Sequence, residues 1–234
     1  CKKFIAISQM VKNDILKYYH CPQENISVVY NGVNLSRFHP ENKDRHRKNI
    51  RKEIEVSEKS VLILFVGSGF ERKGLKALLQ AMEYLHSEDW RLLIMGKGKW
   101  NKYLQFAREN LRSQIIYRKP IPDIERYYSA ANIFALPSIY EPFGNANLEA
   151  LASGLPVITT RHCGTADIIQ HGQDGLIVEN PESAKELAEN INILFDPSLR
   201  RTMGQNGRTL AENFSIKKNT REMLKTYQEI ISTQ

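Results

Sequence analysis

VLILFVGSGFERKGL, residues 61–75, decides how the rest of the chain is read. Six consecutive apolar residues, 61–66, are too few for a membrane span and too uniform for a strand with one wet face. They predict a strand buried on both sides, the mark of a parallel sheet between two layers of helices. The run ends in Gly67, Ser68 and Gly69, and a cation pair, Arg72 and Lys73, waits on the far side of that turn.

Working outward, strand-like runs recur at 90–96, 114–117, 132–137, 156–160 and 175–178. Helical patterns at 73–85, 101–111, 123–131, 145–153 and 164–170 fall between them. The alternation predicts an α/β fold, a Rossmann-like parallel sheet with helices on both faces. Sheets of this kind bind ligands at the carboxyl ends of their strands, where strand order reverses. Beyond residue 180 the pattern is helical only, over 181–195, 198–212 and 215–232. The last stretch offers Phe214, Ile216, Met223, Leu224, Tyr227 and Ile230 as an expected buried stripe. Residues 1–40 stand apart: strand 4–8, helix 9–19 and strand 26–33 make one β-α-β unit, too small to bury its own faces. The opening CKKFIAIS has neither an initiator Met nor a signal peptide and reads as the interior of a longer chain.

The 234 residues are 41% hydrophobic and 25% charged, as in soluble globular proteins. Cys1, Cys21 and Cys163 are odd in number and widely spaced, which argues against a disulfide framework and for a reducing cytoplasm. His162 beside Cys163 is the nearest approach to a metal-ligand pair, and no metal site is expected there. Net charge is +7, unevenly spread: residues 1–120 carry 23 Lys and Arg against 12 Asp and Glu, and residues 121–180 carry 2 against 7. A basic first half suits phosphate-bearing ligands or an anionic membrane surface; a solvated face with no partner is the alternative. The densest patch, ENKDRHRKNIRKE (41–53), is expected as an exposed helix or linker. Acids interrupt it too often for a nucleic-acid arm, so no nucleic-acid partner is expected.

Two constellations carry chemistry. GSGFERKG (67–74) is neither a P-loop nor a dinucleotide fingerprint, because the third glycine of GxGxxG falls on Arg72. Cations at a helix start oppose the macrodipole by on the order of a few tenths of a kcal/mol, which an anionic ligand would offset. Arg72 and Lys73, with the amides of Gly67 and Ser68, suit a diphosphate; a surface pair without a ligand is the plain alternative. The second constellation, SIYEPFGNANLEALASGLPVITT (138–160), sets Glu141 and Glu149 eight residues apart. Gly144 and Asn145 suit a helix entry whose free amides form another anion site. Glu149 falls a turn inside that helix, and a ribose diol offers its carboxylate two donors. An ordinary exposed helical Glu is the alternative.

The Glu-x7-Glu spacing with LEALASGLPVITT behind it resembles the signature of retaining GT-B glycosyltransferases of family 4. Residues 6–40, with an Asn-Gly-Val turn and a closing Phe-x-Pro, resemble that family's interdomain passage. YYSAANIFALPS (127–138) and GTADIIQHGQDGLIV (164–178) resemble its steps into and out of the active-site loop. Within the family, GSGFERKGL most resembles the lipopolysaccharide core glucosyltransferases, which use UDP-glucose.

The resemblance implies a nucleotide-sugar donor and roles to match. Lys73 and Arg72 would hold the diphosphate and stabilise charge on it as it leaves. Glu149 would take the ribose hydroxyls and Glu141 the donor sugar, and the amides of Phe143, Gly144 and Asn145 would meet phosphates or sugar. It implies retention of configuration and no metal or other cofactor. It also implies a division into 1–40, a remnant of the acceptor domain; 41–214, the nucleotide-sugar-binding domain; and 215–234, a terminal helix. The saccharide or lipid-linked acceptor would then meet an absent N-terminal half, and the chain alone would bind donor without transferring it. A cytoplasmic enzyme in cell-surface polysaccharide or lipopolysaccharide synthesis, in peripheral contact with the inner membrane, fits that reading. Base-reading contacts are expected near RKPIP (118–122). Ser68, where many members carry Arg, and the sequence Cys163, Gly164 and Asp167, where a glycine pair and Glu are usual, depart from the pattern. A GT-B sugar-nucleotide epimerase and a non-catalytic sugar-nucleotide-binding fragment are the other readings.

Overall fold

A computed structural model describes residues 3–232. Cys1 lies outside them. The first elements are β1 (Phe4–Ala6), α1 (Gln9–Tyr18) and β2 (Ile26–Val28), with β1 and β2 paired in parallel as a sheet of their own. α2 (Asn42–Glu53) then leads to β3 (Val61–Val66), α3 (Leu75–Ala81), β4 (Trp90–Met95), α4 (Trp100–Leu104) and β5 (Ile115–Arg118). α5 (Glu125–Ala130), β6 (Ile133–Leu136), α6 (Asn145–Ala152), β7 (Val157–Thr160) and β8 (Leu176–Val178) follow. α7 (Ala184–Ile193), α8 (Pro197–Glu212) and α9 (Ile216–Ser232) close the chain.

The six strands β3–β8 form one all-parallel sheet in the order β5-β4-β3-β6-β7-β8. The expected α/β class and Rossmann-like sheet are thus observed. From β3 the chain steps outward to β4 and β5, then returns to lay β6 on the other side of β3. Strand order therefore reverses between β3 and β6, and a crevice opens beyond their carboxyl ends. Residues 62–65 of β3 and all of β6 are buried, as burial on both faces requires. Helix pairs α2/α5, α3/α7 and α6/α8 pack together around the sheet.

Several expected elements are shorter or different. The strand expected over 26–33 ends at Val28, and the helix expected over 101–111 is α4 plus a separate 3₁₀ segment, Glu109–Gln114. The helix expected over 164–170 is one 3₁₀ turn, Gly164–Asp167. The basic 41–53 segment is not simply an exposed face. α2 buries Ile50 and Arg51, and the Arg51 guanidinium donates to the carbonyls of Ala130 (3.1 Å) and Ser60 (3.0 and 3.1 Å) and to Asn132 Oδ1 (2.6 Å). Its charge thereby sits at the carboxyl end of α5, where the helix dipole favours a cation. The buried stripe expected on the last helix is absent: Ile216, Leu224 and Tyr227 are exposed, and Phe214, Met223 and Ile230 only half-buried. The periodicity marked an apolar face correctly, but no described element covers its outer part.

Candidate active site: a cleft at the β3/β6 switch point

A cleft of about 560 Å³ occupies the crevice predicted by the strand order. Gly67, Ser68 and Lys73 line it from the β3–α3 turn, Glu141, Pro142 and Phe143 from the loop after β6, and Gly144, Asn145 and Glu149 from α6. Residues that sequence reading placed in two separate constellations thus share one wall-to-wall site.

The β3–α3 turn folds back over its own start. A Cβ on Gly67 would lie 3.2 Å from Lys73 Cγ, so the missing side chain lets the lysine stem lie along the end of β3. Arg72 and Lys73 sit in the turn before α3, whose N-cap is Gly74. Their ligand-free countercharge comes from the protein. Arg72 Nη1 donates to Glu141 Oε2 at 2.9 Å, and Lys73 Nζ meets the same oxygen. Arg72 is half exposed, but the Lys73 side chain keeps only 12% of its exposure, so it is no free surface cation. Two cations against one carboxylate leave this corner net positive. Ser68, in place of an arginine, uses its hydroxyl to accept from the Lys97 amide at 3.1 Å and pins the turn to the loop after β4.

The YEPFG loop is anchored from both sides. The Ile139 amide donates to Arg72 O, the Glu141 amide to His162 O, and the Gly164 and Thr165 amides to Glu141 O and Phe143 O, all at 2.8–2.9 Å. Phe143 is buried, 6.0 Å ring to ring from Tyr30. Gly144 takes φ +90°, a left-handed conformation that admits glycine, and starts α6 with no side-chain cap. The first amides of α6 therefore open toward the cleft with the positive end of the helix dipole behind them. Below, Asn147 Nδ2 donates to Thr159 Oγ1 and Thr165 Oγ1, and Cys163 Sγ contacts Phe143 O at 3.2 Å. Burial pushes the Cys163 thiol up from its ordinary value, as befits a packed rather than reactive sulfur.

Glu149 is half-buried, and Tyr128 donates to its Oε2 at 2.8 Å. Burial raises its carboxyl above the usual range, while the Tyr128 bond and the Arg37 charge oppose the shift. Among the described residues nothing donates to Oε1. Pro120, Ile121 and Ile124 supply an apolar wall near RKPIP, with Met95 and Gly96 at the end of β4.

Sequence reading missed the contacts from residues 1–40. Asn31 Nδ2 donates to Asn145 Oδ1 at 2.9 Å, Ser8 Oγ to Pro142 O at 2.7 Å, and the Tyr140 hydroxyl to Asp14 Oδ2 at 2.8 Å, which pushes the phenol up to about 12. Asp167 accepts the amides of Gln9 (2.7 Å) and Met10 (3.2 Å) at the start of α1. These partners are more than a hundred residues apart in sequence, and Asn, Ser and Asp in a chain carry no mark of such pairings. Tyr128 was also missed, although its helix was expected.

The fold and this cleft define a Rossmann-type α/β unit with a lysine- and glutamate-lined cleft at its switch point, and its structural neighbours are GT-B glycosyltransferases. The glycosyl transferases group 1 model matches residues 46–210, and the chain belongs to that family; residues 1–37 match a second model, Glycosyltransferase Family 4. A glycosyltransferase from Rickettsia africae aligns over 100% of this chain and 64% of its own, with a TM-score of 0.91 and 26% identity. The uncharacterized glycosyltransferase MJ1607 of Methanocaldococcus jannaschii is 31% identical over 76% of this chain and 48% of its own. The lipopolysaccharide glucosyltransferase WaaG of Escherichia coli is 28% identical over 90% of this chain and 58% of its own. The chain thus spans about half to two thirds of the length of the relatives it matches. Among the described residues no helix is long and apolar enough to cross a membrane.

Proposed function

We propose that the cleft binds a nucleoside diphosphate sugar, UDP-glucose by preference, and serves transfer of its hexose to a saccharide acceptor with retention of configuration. The observation that carries this is the convergence of Lys73, Glu141, Glu149 and the uncapped amino end of α6 on one cleft, with Arg72 outside its lining but paired to Glu141 at the rim. A diphosphate brings more negative charge than the Glu141 carboxylate that neutralises the cation pair in the free protein. On binding, Arg72 and Lys73 turn to the diphosphate, and Glu141 is released toward the sugar hydroxyls. The α6 amides meet the phosphates, and Gly67 and Ser68 line their approach. As the bond from the anomeric carbon to phosphate breaks, its electron pair stays on the diphosphate. Two cations and a helix dipole in a partly enclosed site stabilise that charge without a metal ion. Glu149 Oε1 accepts from the ribose, its partner oxygen fixed by Tyr128, and the base lies along Pro120, Ile121 and Ile124.

The glucose preference rests on the likeness of GSGFERKGL to core glucosyltransferases and on a 28% identical relative named for that activity. The acceptor, and contact with the cytoplasmic face of a membrane, belong in this reading to a further domain. The chain alone then binds donor and transfers little. Calorimetry with UDP, UDP-glucose and GDP-mannose, in buffer with and without EDTA, tests the proposal. Saturable heat with UDP-glucose, unchanged by EDTA, is the expected result; no heat with any of the three for folded protein would overturn it. Isomerised sugar appearing without acceptor would favour the epimerase reading instead.

A further inference from the structure

The structure holds a second basic cavity, at the other end of the sheet. It measures about 600 Å³ and opens between α2, α8 and the turns that precede β6 and β7, with Ala131, Asn132, Gly154 and Pro156 on its floor. The donor cleft lies beyond the carboxyl ends of the strands, so the two are separated by the strand length, on the order of 15–20 Å. Among the described residues five cations line the second cavity, Lys43 and Arg47 from α2 and Arg200, Arg201 and Arg208 from α8, and no carboxylate does. The basic segment that sequence reading left without a partner is one wall of this cavity.

Such a cluster is costly without a countercharge. Lys43 and Arg47 are four residues apart on one helix, a spacing at which like charges repel. Some cations are committed: Arg47 to Glu58 and the carbonyls of Ala130 and Ala131, Arg200 to Leu194 O, and Arg208 to Glu212, Phe38 O and Ala152 O. Glu58 and Glu212 pair from outside the lining. Lys43 reaches only Gly154 O, at the 3.5 Å limit of a hydrogen bond, and Arg201 has no partner among the described residues. Burial and the neighbouring Arg47 hold the Lys43 ammonium below its ordinary value. The two helices are also packed tightly enough to fix this geometry: a Cβ on Gly204 would lie 2.4 Å from Gly154 O, so α8 seats its backbone on the turn that Lys43 touches.

We propose that this cavity is a second anion site, for a ligand carrying two or more phosphoryl groups, either free or as the headgroup of an anionic lipid. Lys43 and Arg201 supply the free donors, and Arg200 and Arg208 flank them. Ligand there would neutralise the repulsion between α2 and α8 and so stabilise the unit independently of donor binding.

The test is a calorimetric titration of inorganic tripolyphosphate into the chain, run on the unaltered protein, on Lys43→Gln with Arg201→Gln, and on Arg72→Ala with Lys73→Ala. Thermal unfolding of each confirms that it is folded, and the Gln pair keeps side-chain volume so that packing survives. The expected result is two binding events in the unaltered chain, one of which the first pair weakens at least tenfold and the second leaves in place. Cosedimentation with phosphatidylcholine vesicles containing cardiolipin, whose headgroup carries two phosphoryl groups, separates the sources. Vesicle binding lost in the Lys43/Arg201 variant indicates a headgroup, and tripolyphosphate binding without vesicle binding indicates a free ligand. Absence of both, or tripolyphosphate binding abolished by the Arg72/Lys73 changes alone, would overturn the proposal. The latter result would leave the donor cleft as the only anion site without touching its own assignment.

Discussion

Tyr128 on α5 donates its hydroxyl to Glu149 Oε2 on α6 at 2.8 Å, joining two helices at the wall of the donor cleft. The tyrosine ring is buried between Phe38 and Phe134, with centroids 5.5 and 5.6 Å away, so the hydroxyl is a fixed donor. Tyr128→Phe keeps that packing and removes only the bond. Stability should fall by about 1 kcal/mol, and UDP should bind several-fold more weakly because the carboxylate is no longer oriented. Urea denaturation and calorimetry on the same variant check both; unchanged UDP affinity would remove Glu149 from the ribose.

The pH dependence has a definite sign. Burial raises the carboxyls of Glu149 and Asp167 in the folded state, so each holds its proton more tightly folded than unfolded. Their contribution to stability is present below the unfolded values, near 4, and is lost as pH rises through the folded ones. Glu149→Gln should therefore raise the urea midpoint at pH 7.5 and leave it nearly unchanged at pH 4. The same variant should bind UDP more weakly at pH 7.5, and its affinity should fall less steeply with falling pH than that of the unaltered chain, which also loses the Glu149 carboxylate.

Glu141 holds Lys73 and Arg72 in the free protein, which separates two roles. Lys73→Ala should weaken UDP at least tenfold. Glu141→Gln should leave UDP affinity equal or improved, since the cations are freed, yet erase any advantage of UDP-glucose over UDP. A loss of UDP binding in Glu141→Gln as large as that in Lys73→Ala would contradict the assignment of Glu141 to the sugar.

Asp167 takes two amides at the start of α1 in place of the longer acid usual in the family. Asp167→Ala should cost about 1–2 kcal/mol and expose residues 1–40 to limited proteolysis before the six-stranded sheet yields. Asp167→Asn, which can still accept from one oxygen, should recover part of that loss.

Arg51 is the buried cation whose removal the fold should tolerate least. Arg51→Ala leaves the buried Ser60 carbonyl without its donor and takes one of two donors from Ser57 O, Ala130 O and Asn132 Oδ1, at an expected cost of about 3 kcal/mol or more. Arg51→Lys should restore little, because one ammonium cannot reach four acceptors spread around a planar fork. Denaturant midpoints decide it.

The sheet was legible because its strands are apolar on both faces, and the glycines and acids at strand ends named the cleft. What was not legible depended on what covers what. The periodicity of 215–232 identified an apolar face but not the absence of a cover over Leu224 and Tyr227. The charge run at 41–53 hid Arg51, because a buried arginine bonded to carbonyls looks, in sequence, like its exposed neighbours. Local pattern also overextended the helices at 101–111 and 164–170, the second because the Gly164 and Thr165 amides are taken by the Glu141 and Phe143 carbonyls. Arg72 and Lys73 were readable as a candidate anion site, but their ion pairs with Glu141, 69 and 68 residues on, required the fold.

The central claim is that one nucleotide bridges the cation pair and Glu149. Titrating UDP and inorganic pyrophosphate separately into the unaltered chain and into Glu149→Ala measures this most directly. UDP should weaken about tenfold in the variant while pyrophosphate holds its affinity, since only UDP carries the ribose. Equal losses for both ligands, or none for either, would contradict it.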